Sequence, residues 1–460
     1  MKNYKLLLPG LTFAIGPVLA YISLPFVTHN VNISEYGVYT YYLSLLSIIS
    51  FLSLLPALNA TVNRYGSKIS ETYSVDMYSF KILYFISFFV FLFCVLAVNY
   101  FYEDINGADF IVISASILCI NIFNVLKSYL LINNDKLRYS FFVILINISQ
   151  YSYLFYAINN EGFDVTDVLF GNVILLFTVI LFNFKVIVYF IKSKPKVVAK
   201  NTKILKFVFM SFVISLSTII YNNTDKIMMD FILDEPRTLA LYQVSYQIFS
   251  FPIESVYTLI SIFTPAFLYR AFDRDKKLYL GNLIITFKVV LFIIFNLSQF
   301  LFINKNFMKS LLLDSSYIVD DSLPMLFLVS QSLFVIYLIS ANIFIVHDKR
   351  IYIIISLALS SILNVGLNYF LISSFGYVGA ALSTLISYIV LIILISFLSY
   401  RIFKFKIFDR KDVLYFSSIP VVYYLFGENY IVWGLVLIMI SAYYFKTNIK
   451  NTYINLLRGV

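Results

Sequence analysis

The chain has 460 residues, 61% of them hydrophobic and only 13% charged, with a mean hydropathy of +0.87. A soluble domain carries about 25% charged residues, so no aqueous fold has an interior large enough for this apolar content. Helices that satisfy their own backbone can expose Phe, Ile, Leu and Val to lipid, and the formal charge of +10 suits basic loops beside an anionic leaflet without any nucleic-acid partner.

The expected class is therefore an all-α polytopic membrane protein. About 20 apolar residues cross ~30 Å of hydrocarbon. In chain order, the runs 6–28, 37–59, 78–99, 110–132, 139–158, 166–191, 204–224, 239–267, 280–303, 322–346, 351–372, 376–400, 411–427 and 430–446 predict 14 transmembrane helices, twelve plus a short C-terminal pair. The MKNYK start has a basic segment but no small-residue cleavage site, and is expected to lead into a retained first helix. Placing the N-terminus and alternate loops in the cytoplasm puts 26 of the 34 Lys and Arg on that side. Only Lys226, Arg237, Lys305 and Lys309 fall on the other side, while Lys81, Lys127, Lys185 and Lys288 lie within spans. A dropped or invented helix would invert the parity of every later loop, so this bias supports both the number of spans and cytoplasmic termini.

Cys94 and Cys119 fall in apolar runs and are expected to be reduced and buried, with no disulfide. His29 and His347 are the only histidines, so no metal site or resident cofactor is expected. The basic stretch SKPKVVAKNTKILK marks a boundary: an N-lobe over 1–191 with helices 1–6, a cytoplasmic linker over 192–206, a C-lobe over 207–400 with helices 7–12, and a C-terminal pair and tail over 401–460. The same stretch also reads as an ordinary long loop.

Helix 1 carries Pro17 and Pro25, and helix 8 carries Pro252 and Pro265 on either side of Glu254. An interior proline removes a backbone donor and clashes with the preceding turn, so breaks are expected at these four positions. Broken helices in two halves point to a transport path, although proline is common in membrane helices generally. Four cations within spans against the one deep carboxylate, Glu254, suggest a cavity that attracts an anion. Lys81, Lys127 and Lys185 are close enough to span ends to snorkel. Asn364 and Asn368, with Asn121, Asn124, Asn147 and Gln150, either line such a cavity or bond between helices.

Three stretches carry a family resemblance. LPFVTHNVNISEYGVYTYYLS over 24–44, the segment 222–267 with its Asp225-Lys226 pair and mid-helix proline, and LNVGLNYFLISSFGYVGAALSTLISY over 363–388 resemble bacterial lipid-linked oligosaccharide flippases. These are the O-antigen and capsule-repeat translocases of the multidrug/oligosaccharidyl-lipid/polysaccharide exporter superfamily. His29 stands where many relatives carry a fixed positive charge after the Leu-Pro pair.

The resemblance implies two six-helix lobes arranged as a V, working by alternating access in the bacterial inner membrane. It further implies a non-enzymatic carrier that moves an isoprenoid pyrophosphate-linked oligosaccharide to the outer leaflet during capsule or O-antigen and lipopolysaccharide biosynthesis, alongside other polysaccharide-assembly proteins. Lys226, Lys288 and Arg64 are the expected partners of the pyrophosphate, Asn364 and Asn368 those of the sugar. Glu254 and Asp225 are the candidates for Na⁺ or H⁺ coupling. Two other functions compete with this one. An ion-coupled drug or small-molecule antiporter of the same superfamily would call for a carboxylate-rich cavity. A membrane polymerase or ligase would call for a sizeable external loop with an acid/base cluster.

Overall fold

The computed structural model describes residues 4–51, 112, 114–116, 119, 123, 126, 130, 135–159, 165–184, 188, 202–256, 268, 272, 275–406, 408–415, 418 and 430–450. Helices, and no strands, form among them. In chain order these are α1 Tyr4–Asn30, α2 Ile33–Phe51, α3 Lys136–Asn159, α4 Val165–Phe182, α5 Thr202–Leu233, α6 Pro236–Phe249, α7 Lys276–Ile303, α8 Lys305–Leu312, α9 Leu323–Val346, α10 Ile351–Phe403 and α11 Tyr430–Tyr444. Four of the described helices, including α7, α9 and α10, are long and apolar enough to cross a membrane. The predicted spans 78–99 and most of 110–132 and 411–427 lie outside the described residues, as do Arg64, Lys81, Cys94, Lys127, Lys185 and Pro265.

The 53 residues of α10 are two helices. Gly376 has φ 58° and ψ −141°, a backbone region that only glycine enters cheaply, and the chain folds back there. A Cβ on Gly379 would lie 2.0 Å from the carbonyl oxygen of Leu371, so the second helix seats its backbone directly against the first. The pattern is inside-out relative to a soluble helix. Ser356, Ser360, Asn364 and Asn368, spaced four apart, are buried, while Ile355, Leu359, Ile362 and Phe370 are exposed. Lipid accepts the apolar face at no cost, and the polar face must find partners within the protein.

The chain divides into two compact units, Met1–Leu241 and Tyr242–Val460, and α5 belongs to the first. The expected linker over 192–206 lies outside the described residues up to 201. In the first unit α1 packs on α3, α3 on α4, and α2 on α5. Cys119, buried as expected, joins Phe123, Leu126 and Leu130 in a core with Tyr139, Val143, Val179 and Ile180. Two of the sequence motifs meet here, because a Cβ on Gly37 would sit 1.9 Å from the Pro236 carbonyl oxygen.

In the second unit α9 packs against both α7 and α10, and α11 packs on α7. The C-terminal segments are held to α7 by an aromatic stack. Phe295 lies 3.8 Å from Tyr415, centroid to centroid, and Tyr415 lies 4.0 Å from Tyr444 at 7° between planes. The short helix α8 occupies the connection between α7 and α9, where no helix is expected from the sequence. Lys309 anchors it, its Nζ donating to the Val319 carbonyl at 3.1 Å and to Asp321 Oδ1 at 2.7 Å.

The expected breaks divide into three cases. Pro17 and Pro25 do not interrupt α1, which runs unbroken from Tyr4 to Asn30. Each proline forfeits one backbone bond, and flanking turns tolerate this where no water competes for the ladder. Pro252, by contrast, coincides with a break. Helix α6 ends at Phe249, Ser250 is a turn, and a helical turn resumes at 251–256. The Ser250 carbonyl then accepts the N–H groups of both Ile253 and Glu254, at 3.1 and 3.0 Å. Pro265 is beyond the described residues.

Candidate functional site

The break before Pro252 positions Glu254. Its Oε1 accepts a hydrogen bond from the Tyr246 hydroxyl across the interruption and another, at 3.0 Å, from Gln331 Nε2 on α9. Tyr246 is held in turn by the rings of Phe251 and Phe327, each 5.6 Å away. Both of these donors are neutral groups that orient the carboxylate. Ser250 Oγ and Gln243 Oε1 are buried without a hydrogen-bond partner among the described residues. Gln243 and Tyr246 are three apart on α6, and Ser250 and Glu254 continue that spacing, so the four polar groups follow one stripe.

Lys288 has a different setting. Its Nζ lies 2.8 Å from Asp409 Oδ2 and 3.1 Å from Asp412 Oδ1. The two aspartates cap each other: Asp412 N–H donates to Asp409 Oδ1 at 2.8 Å, and Asp409 N–H to Asp412 Oδ2 at 2.9 Å. The Tyr444 hydroxyl donates to Asp412 Oδ1 at 2.6 Å. Burial pushes the Asp409 carboxyl up, but the Lys288 ammonium and the Asp412 N–H outweigh it and hold this carboxyl below the usual carboxylate range. Lys288, expected as a partner of the pyrophosphate, is engaged here by two carboxylates of its own chain. The expected balance of one deep carboxylate changes too, since Asp412 is 1% exposed.

Asp225 and Lys226 are both buried on α5, and Asp225 Oδ1 accepts the Lys226 N–H at 2.9 Å. Adjacent helical residues point about 100° apart, so the pair presents its two charges in different directions. Asn364 and Asn368 face the partner helix of the α10 hairpin. Asn368 Nδ2 donates to Asn364 Oδ1 at 3.1 Å, and Ser383 Oγ donates to Asn368 Oδ1. The Asn368 amide thus bonds across the hairpin, while the Asn364 bond stays within its own helix. Asn364 Nδ2 is buried without a hydrogen-bond partner among the described residues. No cluster of three or more metal-ligating side chains occurs among the described residues. His29 is exposed, and the His347 ring packs between Phe272 and Phe403.

Sequence reasoning missed Tyr246, Gln331, Asp409, Asp412 and Tyr444. Gln331 carried a usable signal, an amide in the middle of an apolar run. Asp409 sits in a stretch that reads as basic loop and Asp412 at the start of the predicted run 411–427, 121 and 124 residues from Lys288, and nothing local connects them.

No family model and no curated protein matches the chain. Solved structures do. A lipid II flippase MurJ in an inward closed conformation aligns with a TM-score of 0.66 at 16% identity, over 98% of this chain and all of the other. An outward-facing multidrug resistance MATE family transporter of the MOP superfamily aligns at 0.62 and 14%, over 85% of this chain and 93% of that one. A MOP superfamily transporter from Pyrococcus furiosus, characterised by reverse polarity of its binding pocket, aligns at 0.58 and 11%, over 85% and 94%. The chain thus has the fold of MOP superfamily transporters, the superfamily that its motifs resemble.

Proposed function

We propose that this chain is a flippase that carries an isoprenoid pyrophosphate-linked oligosaccharide from the cytoplasmic to the outer leaflet of a bacterial inner membrane. The observation that carries this reading is the extent of the structural likeness. The lipid II flippase matches 98% of this chain and the multidrug transporter 85%, so the likeness to the lipid carrier takes in nearly all of the chain. In this reading the chain has 14 spans, two six-helix lobes forming a V and a C-terminal pair, and works by alternating access with both termini in the cytoplasm.

The cargo has an anionic pyrophosphate, a hydrated sugar and a lipid tail, and each calls for a different surface. Lys226 is the buried cation assigned to the pyrophosphate, together with Arg64. Outward movement of the charge runs down an inside-negative potential and gains about 2.3 kcal/mol per charge per 100 mV. Glu254 is assigned to Na⁺ or H⁺ coupling, with Asp225 as the other candidate. The coupled-antiporter reading draws on the same Glu254 centre.

The test is the leaflet distribution of lipid-linked repeat units in cells with and without the gene. Deletion should leave repeat units on the cytoplasmic leaflet, and wild type should relieve this while Lys226→Ala does so poorly. Normal translocation in the deletion strain, with redundant carriers also removed, would overturn the flippase reading in favour of small-molecule export.

A further inference from the structure

Beside the Lys288 cluster lies a cavity of about 170 Å³ between α7, α9 and the segment 405–412. Phe287, Ile339 and Phe405 give it apolar walls, and Lys288 and Asp412 lie buried at one side. Asp409 and Lys406 line the cavity and are exposed, with the Asp409 side chain 48% accessible. Two carboxylates face one ammonium in the cluster, which leaves an excess of negative charge inside. Lys406 makes no ion pair among the described residues.

The surroundings narrow the ligand. Arg401, Lys404, Lys406, Arg410 and Lys411 crowd this stretch, on the side that the positive-inside rule assigns to the cytoplasm. Such a cluster draws lipid phosphates within a Debye length. A purely anionic headgroup would meet the Asp409 and Asp412 carboxylates at close range, where like charges repel. A headgroup with a phosphate and a primary ammonium satisfies both signs. The ammonium N–H groups can donate to the open side of the Asp409 carboxylate, and the phosphate can take Lys406. The apolar walls suit the methylene groups between and beyond the two charges.

We propose that this cavity binds the headgroup of an aminophospholipid of the cytoplasmic leaflet, ammonium toward Asp409 and phosphate toward Lys406. The site is separate from the carrier reading and does not depend on what is transported. It places a structural lipid where the C-terminal segments join α7.

Native mass spectrometry of the purified full chain tests it, with phosphatidylethanolamine, phosphatidylcholine and phosphatidylglycerol offered at equal concentration. Choline carries the same charges as ethanolamine but has no N–H donor. One charge-assisted hydrogen bond corresponds to about tenfold in affinity, so phosphatidylethanolamine should exceed phosphatidylcholine by about that factor. Asp409→Asn should erase the preference. Lys406→Ala, which removes no described ion pair, should weaken phosphatidylethanolamine binding without disturbing the fold. Equal binding of all three lipids would overturn the proposal, as would a preference for phosphatidylglycerol or an unchanged preference in Asp409→Asn. Glycerophosphoethanolamine supplies the same headgroup in soluble form. Competition by it at concentrations matching the lipid would reassign the site to a soluble ligand.

Discussion

Two charges in the second unit, Lys288 buried and Glu254 half-buried, sit among opposite kinds of neighbour. Lys288 meets Asp409 and Asp412, which are themselves locked together by backbone bonds and by Tyr444. Glu254 meets a tyrosine hydroxyl and a glutamine amide beside a helix break. Depth in an apolar helix marked both residues equally, so depth does not separate a structural charge from a functional one. The partners differ: carboxylates around an ammonium fix it in place, whereas a hydroxyl and an amide orient the carboxylate that is proposed to exchange a cation.

The largest expected effect comes from breaking the closed cluster. Asp412→Ala leaves Lys288 buried with one carboxylate fewer and removes an acceptor from the Tyr444 hydroxyl. Removing one partner of a buried pair costs ~3–5 kcal/mol, so the melting temperature of the purified protein should drop sharply and the C-terminal segments should become protease-sensitive. A variant Asp412→Ala as stable as wild type would dissolve the distinction between the two sites.

Glu254→Gln should do the opposite, sparing the fold and impairing transport. The amide carbonyl can still accept from Gln331 and Tyr246, so the melting temperature should change little. A coupling free energy of ~1–3 kcal/mol corresponds to about 5- to 150-fold, and transport driven by an ion gradient should fall within that range in proteoliposomes. An unaltered gradient dependence would move the coupling site elsewhere, with Asp225 the next to test.

Much of the helical layout was legible because lipid imposes one simple rule on every span. The run 139–158 was found as Lys136–Asn159, 322–346 as Leu323–Val346, and the separation of 351–372 from 376–400 at Gly376. The Phe-Gly and Gly-Ala-Ala residues announce that hairpin because a left-handed turn and a close backbone approach both require small residues. Helix α8 was not legible, since eight residues give too few turns for a period to show. Nor were the partners of Lys288, because a contact across more than 100 residues leaves no trace in local spacing. The α1 prolines misled for a related reason. Proline reports a missing bond, and only the surrounding helices decide whether that missing bond becomes a break.

A third ion pair shows that distance is no guide either. Lys309 Nζ lies 2.7 Å from Asp321 Oδ1, closer than Lys288 comes to either of its carboxylates, yet the Asp321 side chain is 77% exposed. Water already solvates these charges, so the pair contributes little. The Lys309 hydrogen bond and charge hold the Asp321 carboxyl below its usual range. A carboxyl lowered in the folded state contributes stability above its unfolded pKa of about 3.9 and loses it as pH falls through the lower folded value. The small melting-temperature gap between wild type and Asp321→Asn should therefore be constant near neutrality and close below about pH 4. High salt should shrink the gap at neutral pH as well, because an exposed pair is screened and the buried Lys288 cluster is not. If salt left the Asp321 gap intact while weakening the Lys288 cluster, burial would lose its place as the quantity that ranks these pairs.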